Sequence, residues 1–167
     1  NPANLGIVVM LLATDVVWTS TGEWGSALWY AALIAALGAL STWRARRLDV
    51  PITISEQYPK GLGPTVAPLR QAAGNAATTL PKVAFSCLAD AGLARRLSLL
   101  QEAGRDQIVV AGIEAHVCVA QTALDLVGAG YHVYIAADAV GSRPPDGKPR
   151  ALNRLARAGA TIVDTEM

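Results

Sequence analysis

The sequence predicts a three-layer α/β/α sandwich, Rossmann-like, with a central and mostly parallel sheet. Short, continuously apolar runs recur along the chain, as in strands that are buried on both faces. Between these runs lie segments whose apolar residues recur at helical spacing. Strands that alternate with helices in this way form a parallel sheet with helices on both sides. No repeat or low-complexity linker divides the 167 residues, so 1–167 is expected to be a single domain.

The first third of the chain supplies two predicted strands and the helix between them. Residues 5–13, LGIVVMLLA, are apolar throughout and are predicted as the first strand, and residues 25–46 are predicted as a helix. The β-branched run VPITIS at 50–55 indicates the second strand. Two prolines and two glycines in residues 56–65 favour an ordered loop. The segment PKVAFS at 81–86 is expected to contain a short third strand.

The second half of the chain alternates clearly between the two patterns. Residues 91–103 are predicted as a helix because Leu93, Leu97 and Leu100 share one face, and Gly104 would end it. The remaining predicted elements are a strand at 107–112, a helix at 117–129, a strand at 131–137, a loop at 138–147, a helix at 148–158 and a strand at 160–163. The predicted order is therefore β-α-β-loop-β-α-β-α-β-α-β.

Residues 24–43, WGSALWYAALIAALGALSTW, carry no charge and have tryptophan at both ends. This length and these flanks are typical of a membrane span. However, alanine dominates the segment, Gly25 and Gly38 lie inside it, and it connects two predicted strands. A helix that is buried against the sheet or in a subunit interface is the favoured interpretation. We therefore expect a homo-oligomer, and a membrane-associated protein is the alternative.

Charge and cysteine content restrict the partners and the setting. The chain has 14 Lys and Arg against 13 Asp and Glu, a net charge of +1, which gives no electrostatic signature of nucleic-acid binding. The arginines at 44–47 and 150–157 are interpreted as solvated helix faces and ends. Two cysteines do not make a disulfide framework, so a reducing, cytoplasmic setting is expected.

Three reactive side chains follow predicted strands, at the edge where parallel α/β sheets carry their chemistry. Asp15 follows the first strand, Lys82 lies at the third, and Cys118 follows the fourth where a helix begins. A carboxylate can take a thiol proton and return it to a leaving group. A helix N-terminus and a lysine both favour the thiolate, so the pKa of Cys118 is expected below that of an ordinary thiol. Unpaired N–H groups at the helix start can bind an oxyanion.

Each of these residues also has an ordinary structural explanation. Cysteine is among the most often buried residues, aspartate is common in caps and turns, and lysine is common on surfaces. Spacing alone therefore leaves the role of Cys118 open. Cys87 is interpreted as a core residue, with a redox partnership to Cys118 as the alternative.

Four segments of the chain resemble a known family. The segments GIEAHVCVAQTALDL and GYHVYIAADAVGSR are similar to its nucleophile region, and ISEQYPKGLGPTV and LPKVAFS are similar to its loop and lysine regions. The family is the isochorismatase-like cysteine hydrolase superfamily, and the segments resemble most its subgroup of isochorismatase domain-containing proteins. The resemblance extends from about residue 50 to the C-terminus and implies the same α/β/α fold.

The resemblance implies a catalytic triad of Cys118 in HVCV, Lys82 in LPKVAFS and Asp15 in LLATDVV. Residues 1–49 match the family poorly. The family usually has glutamine two residues after the acid, where Val17 stands in this chain. The placement of the acid is therefore the part of the triad that the resemblance supports least.

Other site features follow from the same resemblance. It implies a cis peptide between Ile113 and Glu114, and an oxyanion hole formed by the N–H groups of Glu114 and Cys118. Apart from the resemblance, Glu56, Gln57 and Tyr58 begin the loop after the second strand and could border a substrate pocket, as could Phe85 and His116. The Asp-x-His pattern of the nicotinamidase relatives is absent after the second strand, and His116 and His132 stand apart, so neither a metal nor another cofactor is expected.

The resemblance implies a hydrolase that acts on a small amide or related carbonyl compound through a thioester on Cys118. True isochorismatases act on a vinyl ether and lack the cysteine, so Cys118 argues against that substrate. The alternative is a catalytically silent interaction protein on the same scaffold, whose partner surface would be the apolar helix 25–43. An unreactive Cys118 with an ordinary pKa would favour that alternative.

Overall fold

The computed structural model describes residues 7–13, 50–75 and 77–166, which form a six-stranded parallel sheet. The strands are β1 (Ile7–Ala13), β2 (Ile52–Gln57), β3 (Thr78–Lys82), β4 (Gln107–Ile113), β5 (His132–Gly141) and β6 (Thr161–Val163). Their order across the sheet is β3-β2-β1-β4-β5-β6, so β1 lies between β2 and β4. The predicted α/β class with a parallel sheet is confirmed.

Helices follow most of the described strands. They are α1 (Pro59–Leu62), α2 (Ala67–Ala73), α3 (Ala91–Glu102), a π-helical turn (Ala115–Val119), α4 (Ala120–Gly128) and α5 (Gly147–Arg157). The predicted helix at 25–46 and the alternative span at 24–43 lie outside the described residues. Within the described ranges, no helix is long and apolar enough to cross a membrane.

The sheet is buried on both faces, as β4 demonstrates. Ile108 and Val110 pack in a large core cluster with side chains from α3, α4 and α5. Val109 and Ala111, which alternate with them, pack in a smaller cluster that includes Ala73 of α2. Successive side chains of a strand point to opposite faces. A strand that is covered on both sides therefore needs the continuous apolar run from which it was predicted.

Helix α3 shows how local sequence sets the ends of an element. Asp90 caps its N-terminus, because one carboxylate oxygen accepts hydrogen bonds from the N–H groups of Gly92 at 3.0 Å and Leu93 at 3.1 Å. The helix is followed by Gly104, whose φ of +79° favours glycine. Between these ends, Leu93 and Leu97 are buried in the large cluster.

Several boundaries differ from the predictions. The strand expected within 81–86 is Thr78–Lys82, and the chain turns directly after Lys82. Strand β2 extends to Gln57, and the predicted loop 56–65 contains α1. The short helix α2, which places Leu69 and Ala73 on one buried side, was not predicted.

The predicted loop at 138–147 is wrong in its first part, because β5 continues to Gly141. Val110 pairs with Ile135 and Gly112 pairs with Val140, so two steps along β4 match five along β5. An irregularity of this kind interrupts the ladder without ending the strand. It explains why the polar and glycine-containing sequence did not indicate a strand.

Two leucines of α3 test the importance of the large core. Leu97 is 1% exposed and Leu99 is 56% exposed. We expect Leu97→Ala to lower the free energy of unfolding by about 2–5 kcal/mol because it leaves a cavity. The control Leu99→Ala should change it by less than about 0.5 kcal/mol. Urea denaturation measures both, and similar losses in the two variants would contradict this description of the core.

Candidate active site

The carboxyl ends of the central strands meet at one edge of the sheet. In register, Ala13 of β1 lies beside Glu56 of β2, and Gln57 lies beside Lys82 of β3. On the other side of β1, Ile113 at the end of β4 lies beside Gly141 of β5. Asp15 lies outside the described residues, two positions after the end of β1. The described part of the site therefore consists of the ends of β2 to β5 and the turns that follow them.

Lys82 is buried at this edge, with only 2% of its surface exposed. Its ammonium group donates hydrogen bonds to Gln57 Oε1 at 2.5 Å and to the carbonyl oxygens of Ala84 and Phe85, both at 3.0 Å. A buried charge is tolerated only when it has partners. Three acceptors match the three protons of an ammonium group. The lysine is therefore held in one position by the strand beside it and by its own turn.

Gln57 connects Lys82 with the turn that follows it, a role that the sequence analysis did not predict. Its Oε1 accepts from Lys82, while its Nε2 donates to the carbonyl oxygen of Val83 at 2.5 Å. The signal was the alternation of polar residues in β2, because Thr53, Ser55 and Gln57 are two positions apart. Residues at this spacing share one face of a strand. A polar stripe inside a buried strand indicates that this face meets polar partners at the site.

Cys118 lies where β4 gives way to helix, as predicted, but the first turn is π-helical. The N–H of Val119 donates to the carbonyl oxygen of Glu114 at 3.2 Å, a bond across five residues. The α-helical part begins at Ala120. Cys118 is 9% exposed, so its sulfur lies at the inner side of the turn.

The pKa of Cys118 is raised above 9.0, chiefly because burial disfavours the thiolate. The charge of Lys82 and a hydrogen bond from its ammonium group act in the opposite direction, and so does a hydrogen bond from the backbone N–H of Glu114. The carboxylate of Glu114 adds to the rise. The prediction that the pKa of Cys118 is lowered is therefore wrong, because desolvation outweighs the favourable contacts.

Cys87 is a core residue, as predicted, and it is also a neighbour of Cys118. It is fully buried in the large cluster, and its N–H donates to Thr122 Oγ1 at 3.1 Å. Burial raises its pKa above 9.0, and hydrogen bonds from Ser55 and Thr122 oppose this rise. Lys82 lowers the pKa of both thiols, and a negative charge on Cys118 would raise the pKa of Cys87.

Glu114 links the π-helical turn that contains Cys118 to the segment after β5. The peptide bond between Ile113 and Glu114 is cis, at the position that the resemblance implied. One carboxylate oxygen of Glu114 accepts from the backbone N–H of Arg143 at 2.9 Å, and the other lies 3.2 Å from Arg143 Nε. His116 Nδ1 lies 2.9 Å from Ser142 Oγ and 3.6 Å from the Glu114 carboxylate.

The other predicted pocket residues are placed differently. Glu56 is buried, and its carboxylate accepts from the N–H of Thr65 at 2.7 Å. Because Glu56 alternates in phase with Ile52 and Ile54 of the smaller cluster, its side chain lies on the sheet face opposite Cys118. Tyr58 and Phe85 are 51% and 53% exposed at the ends of β2 and β3.

The histidines lie at different edges of the sheet. His116 follows the carboxyl end of β4, whereas His132 begins β5 and lies 3.9 Å from Asp106. Among the residues that the structure describes, no group of three or more His, Cys, Asp and Glu side chains could hold a metal ion.

The sequence profile described as the isochorismatase domain matches residues 14–167. The chain belongs to the isochorismatase family. One curated relative is isochorismatase domain-containing protein 1 of Danio rerio, which is 41% identical to this chain over 133 residues. The match covers 80% of this chain and 45% of the relative. The chain thus spans about half the length of the curated relatives that it matches.

Solved structures share the fold of this isochorismatase-family chain. A structure titled MAR1 ribonuclease, from Caenorhabditis elegans, has a TM-score of 0.83 and 28% identity, and the match covers 98% of this chain and 79% of that one. N-carbamoylsarcosine amidase from Thermoplasma acidophilum has a TM-score of 0.74 and 20% identity, with 96% of both chains covered. The second likeness is evidence of the fold alone.

Replacing Lys82 tests its electrostatic effect on Cys118. Lys82 lowers the pKa of this thiol, so Lys82→Met should raise the pKa further and move the alkylation profile to higher pH. The control Lys60→Met removes an exposed ammonium from α1 and should leave the profile in place. Iodoacetamide alkylation against pH, followed at each cysteine by peptide mass spectrometry, measures the shift. A profile unchanged in Lys82→Met would show that the ammonium does not act on this sulfur.

Proposed function

We propose that this chain is a hydrolase of small amides or related carbonyl compounds and that Cys118 is its nucleophile. The observation that carries the proposal is that Cys118 lies in the first helical turn after β4, at the strand-end edge where the ammonium of Lys82 is buried and lowers the pKa of the thiol. Where water is excluded, a nearby cation stabilises the negative charge that the sulfur carries after it loses its proton. Cys118 differs from the core residue Cys87, on which Lys82 also acts, because Cys118 lies in the turn at the carboxyl edge of the sheet and keeps slight exposure.

The raised pKa of Cys118 requires a proton acceptor, because at neutral pH the resting sulfur carries its proton. We assign that role to Asp15, which follows the central strand β1 by two residues. The carboxylate would take the proton as the sulfur attacks the carbonyl carbon, and would then pass it to the leaving amine. The product of this half-reaction is a thioester on Cys118 and a free amine. Water then hydrolyses the thioester.

The oxyanion that forms during attack needs donors aimed at the substrate oxygen. The backbone N–H of Glu114 faces the Cys118 sulfur, and we propose that it forms the oxyanion hole together with the N–H of Cys118. The ammonium of Lys82 stabilises negative charge on the sulfur and, in this proposal, on Asp15. Both effects are large where water is excluded.

The residues at the entrance would determine which substrates fit. Tyr58 and Phe85 are exposed at the same edge as Lys82, and we propose that they contact the substituent of the substrate. His116 lies beside Ser142 and Glu114 and is proposed as a further contact. Glu56 is not included, because its side chain lies on the other face of the sheet.

A substrate screen on small primary amides and carbamoyl compounds tests the proposal. Cys118→Ala should abolish turnover and keep the thermal midpoint, while Cys87→Ala, which removes the other thiol, should retain turnover within about tenfold because it does not touch the nucleophile. Asp15→Asn should reduce the rate by about 10²–10⁴-fold, the usual worth of general acid–base catalysis.

The same screen distinguishes the competing functions. RNA belongs in it, because the Caenorhabditis elegans relative carries the name of a ribonuclease. Amide hydrolysis that survives Cys118→Ala, or RNA hydrolysis that requires Cys118, would contradict the proposal. A folded protein that turns over none of these compounds would favour a silent interaction scaffold.

Self-association stays a prediction from the sequence, since residues 25–43 lie outside the described ranges. An uncharged helix of this length leaves an apolar outer side unless a second subunit covers it. Sedimentation velocity at micromolar concentration without detergent should therefore give an oligomer. A well-behaved monomer would contradict this expectation.

A further inference from the structure

We propose that Arg143 is a positioning residue: through the carboxylate of Glu114 it holds the backbone N–H of Glu114 toward the oxygen of the substrate. The inference rests on the proposed function of Cys118, and it adds a residue that the sequence analysis did not single out. The supporting geometry is that Arg143 engages both carboxylate oxygens, one with its backbone N–H at 2.9 Å and one with its Nε at 3.2 Å.

Glu114 is held at each of its polar groups. Its backbone N–H lowers the pKa of the Cys118 thiol, and its carbonyl oxygen accepts from the N–H groups of Val117 at 3.1 Å and Val119 at 3.2 Å. These contacts all come from the nucleophile turn itself. The carboxylate contact with Arg143 comes from another part of the chain. Arg143 therefore fixes the orientation of this peptide relative to the sheet.

The segment that carries Arg143 is itself packed against the nucleophile turn. Gly141 pairs with Ile113 at the end of the sheet, and Ser142 contacts His116. At the start of α5, a Cβ on Gly147 would lie 3.1 Å from Ser142 Cβ and 3.2 Å from His116 Nδ1. This close approach leaves little room for the segment to move, so Arg143 is presented to Glu114 in a defined position.

Arg143 also compensates a charge that opposes catalysis. The Glu114 carboxylate raises the pKa of Cys118, whereas Lys82 lowers it. His116 and Arg143 are the basic side chains that contact this carboxylate. A glutamate beside a thiolate is unfavourable unless a cation balances it. The ion pair between Arg143 and Glu114 therefore holds Glu114 in position, and the positive charge of Arg143 offsets the effect of the Glu114 carboxylate on the Cys118 thiolate.

A small aldehyde reports on the N–H of Glu114 independently of any substrate. The Cys118 sulfur adds to the carbonyl carbon of propanal, and the thiol proton moves to the carbonyl oxygen, which gives a hemithioacetal with its oxygen in the proposed oxyanion hole. Propanal should therefore protect Cys118 from iodoacetamide, while Cys87 serves as the internal reference. Peptide mass spectrometry follows alkylation of each cysteine in the wild-type chain, Arg143→Gln and the control Arg154→Gln, an exposed arginine of α5.

We expect Arg143→Gln to need about ten- to a hundredfold more propanal for the same protection, since a misaligned donor loses part of the roughly 10²–10³-fold worth of an oxyanion-hole group. Arg154→Gln should match the wild type. The thermal midpoint of Arg143→Gln should stay close to that of the wild type, because an ion pair with an arginine that is 40% exposed contributes little to stability. Equal protection in Arg143→Gln and wild type would overturn the inference.

Glu114→Gln provides a second test if Arg143→Gln does not fold. It should weaken protection as well. Where Arg143→Gln folds, the double variant should be no weaker than the weaker single variant, because Arg143 acts through Glu114. Additive losses, or full protection in Glu114→Gln, would overturn the inference. A wild-type Cys118 that iodoacetamide modifies but propanal never protects would instead contradict the proposed function.

Discussion

The buried ammonium of Lys82 is the group on which the described site depends. It has almost no exposure, and its surroundings must supply the hydrogen bonds that water would otherwise provide. This requirement shapes the local structure: β3 stops at Lys82, the chain turns so that the carbonyl oxygens of Ala84 and Phe85 face the ammonium, and Gln57 completes the set from the neighbouring strand. Two hydrogen bonds connect this turn to α4: Ser86 donates to Asp125, and the N–H of Cys87 donates to Thr122.

The same ammonium lowers the pKa of two thiols that lie in different environments. Cys87 is sealed in the core, whereas Cys118 retains slight exposure at the carboxyl edge of the sheet. Burial raises the pKa of both, and Lys82 opposes the rise in both. If Cys118 is the nucleophile, as we propose, this site would keep its thiol protonated at rest and would stabilise the thiolate only after a base removes the proton. Reactivity would then be confined to the moment when substrate and base are both in place.

The sequence predicted β4 well because this strand is buried on both faces and its residues 108–111 are therefore continuously apolar. It also placed Lys82 and Cys118 correctly, because both lie next to strand ends. It failed where tertiary contacts decide the outcome. The end of β3 is set by hydrogen bonds to an ammonium, which leave no local pattern. The pKa of Cys118 was predicted in the wrong direction, because the number of apolar atoms around a sulfur is not apparent from its neighbours in the chain. The contacts of Gln57 with Lys82 and of Arg143 with Glu114 were not predicted, because these partners are distant in sequence.

The irregular pairing of β5 with β4 has a consequence for how the chain tolerates change. Ile135 and Val140 belong to the large cluster, while Ala136 and Ala139 belong to the smaller one. Five steps along β5 therefore return the chain to the same face, which a regular period of two would not allow. Loss or gain of one residue within 136–139 would turn Val140 toward the wrong face and move the segment after Gly141 out of line with Ile113. Substitution of Ala136 or Ala139 changes only side-chain volume, whereas a change in the number of residues here would alter the geometry of the turn that contains Cys118.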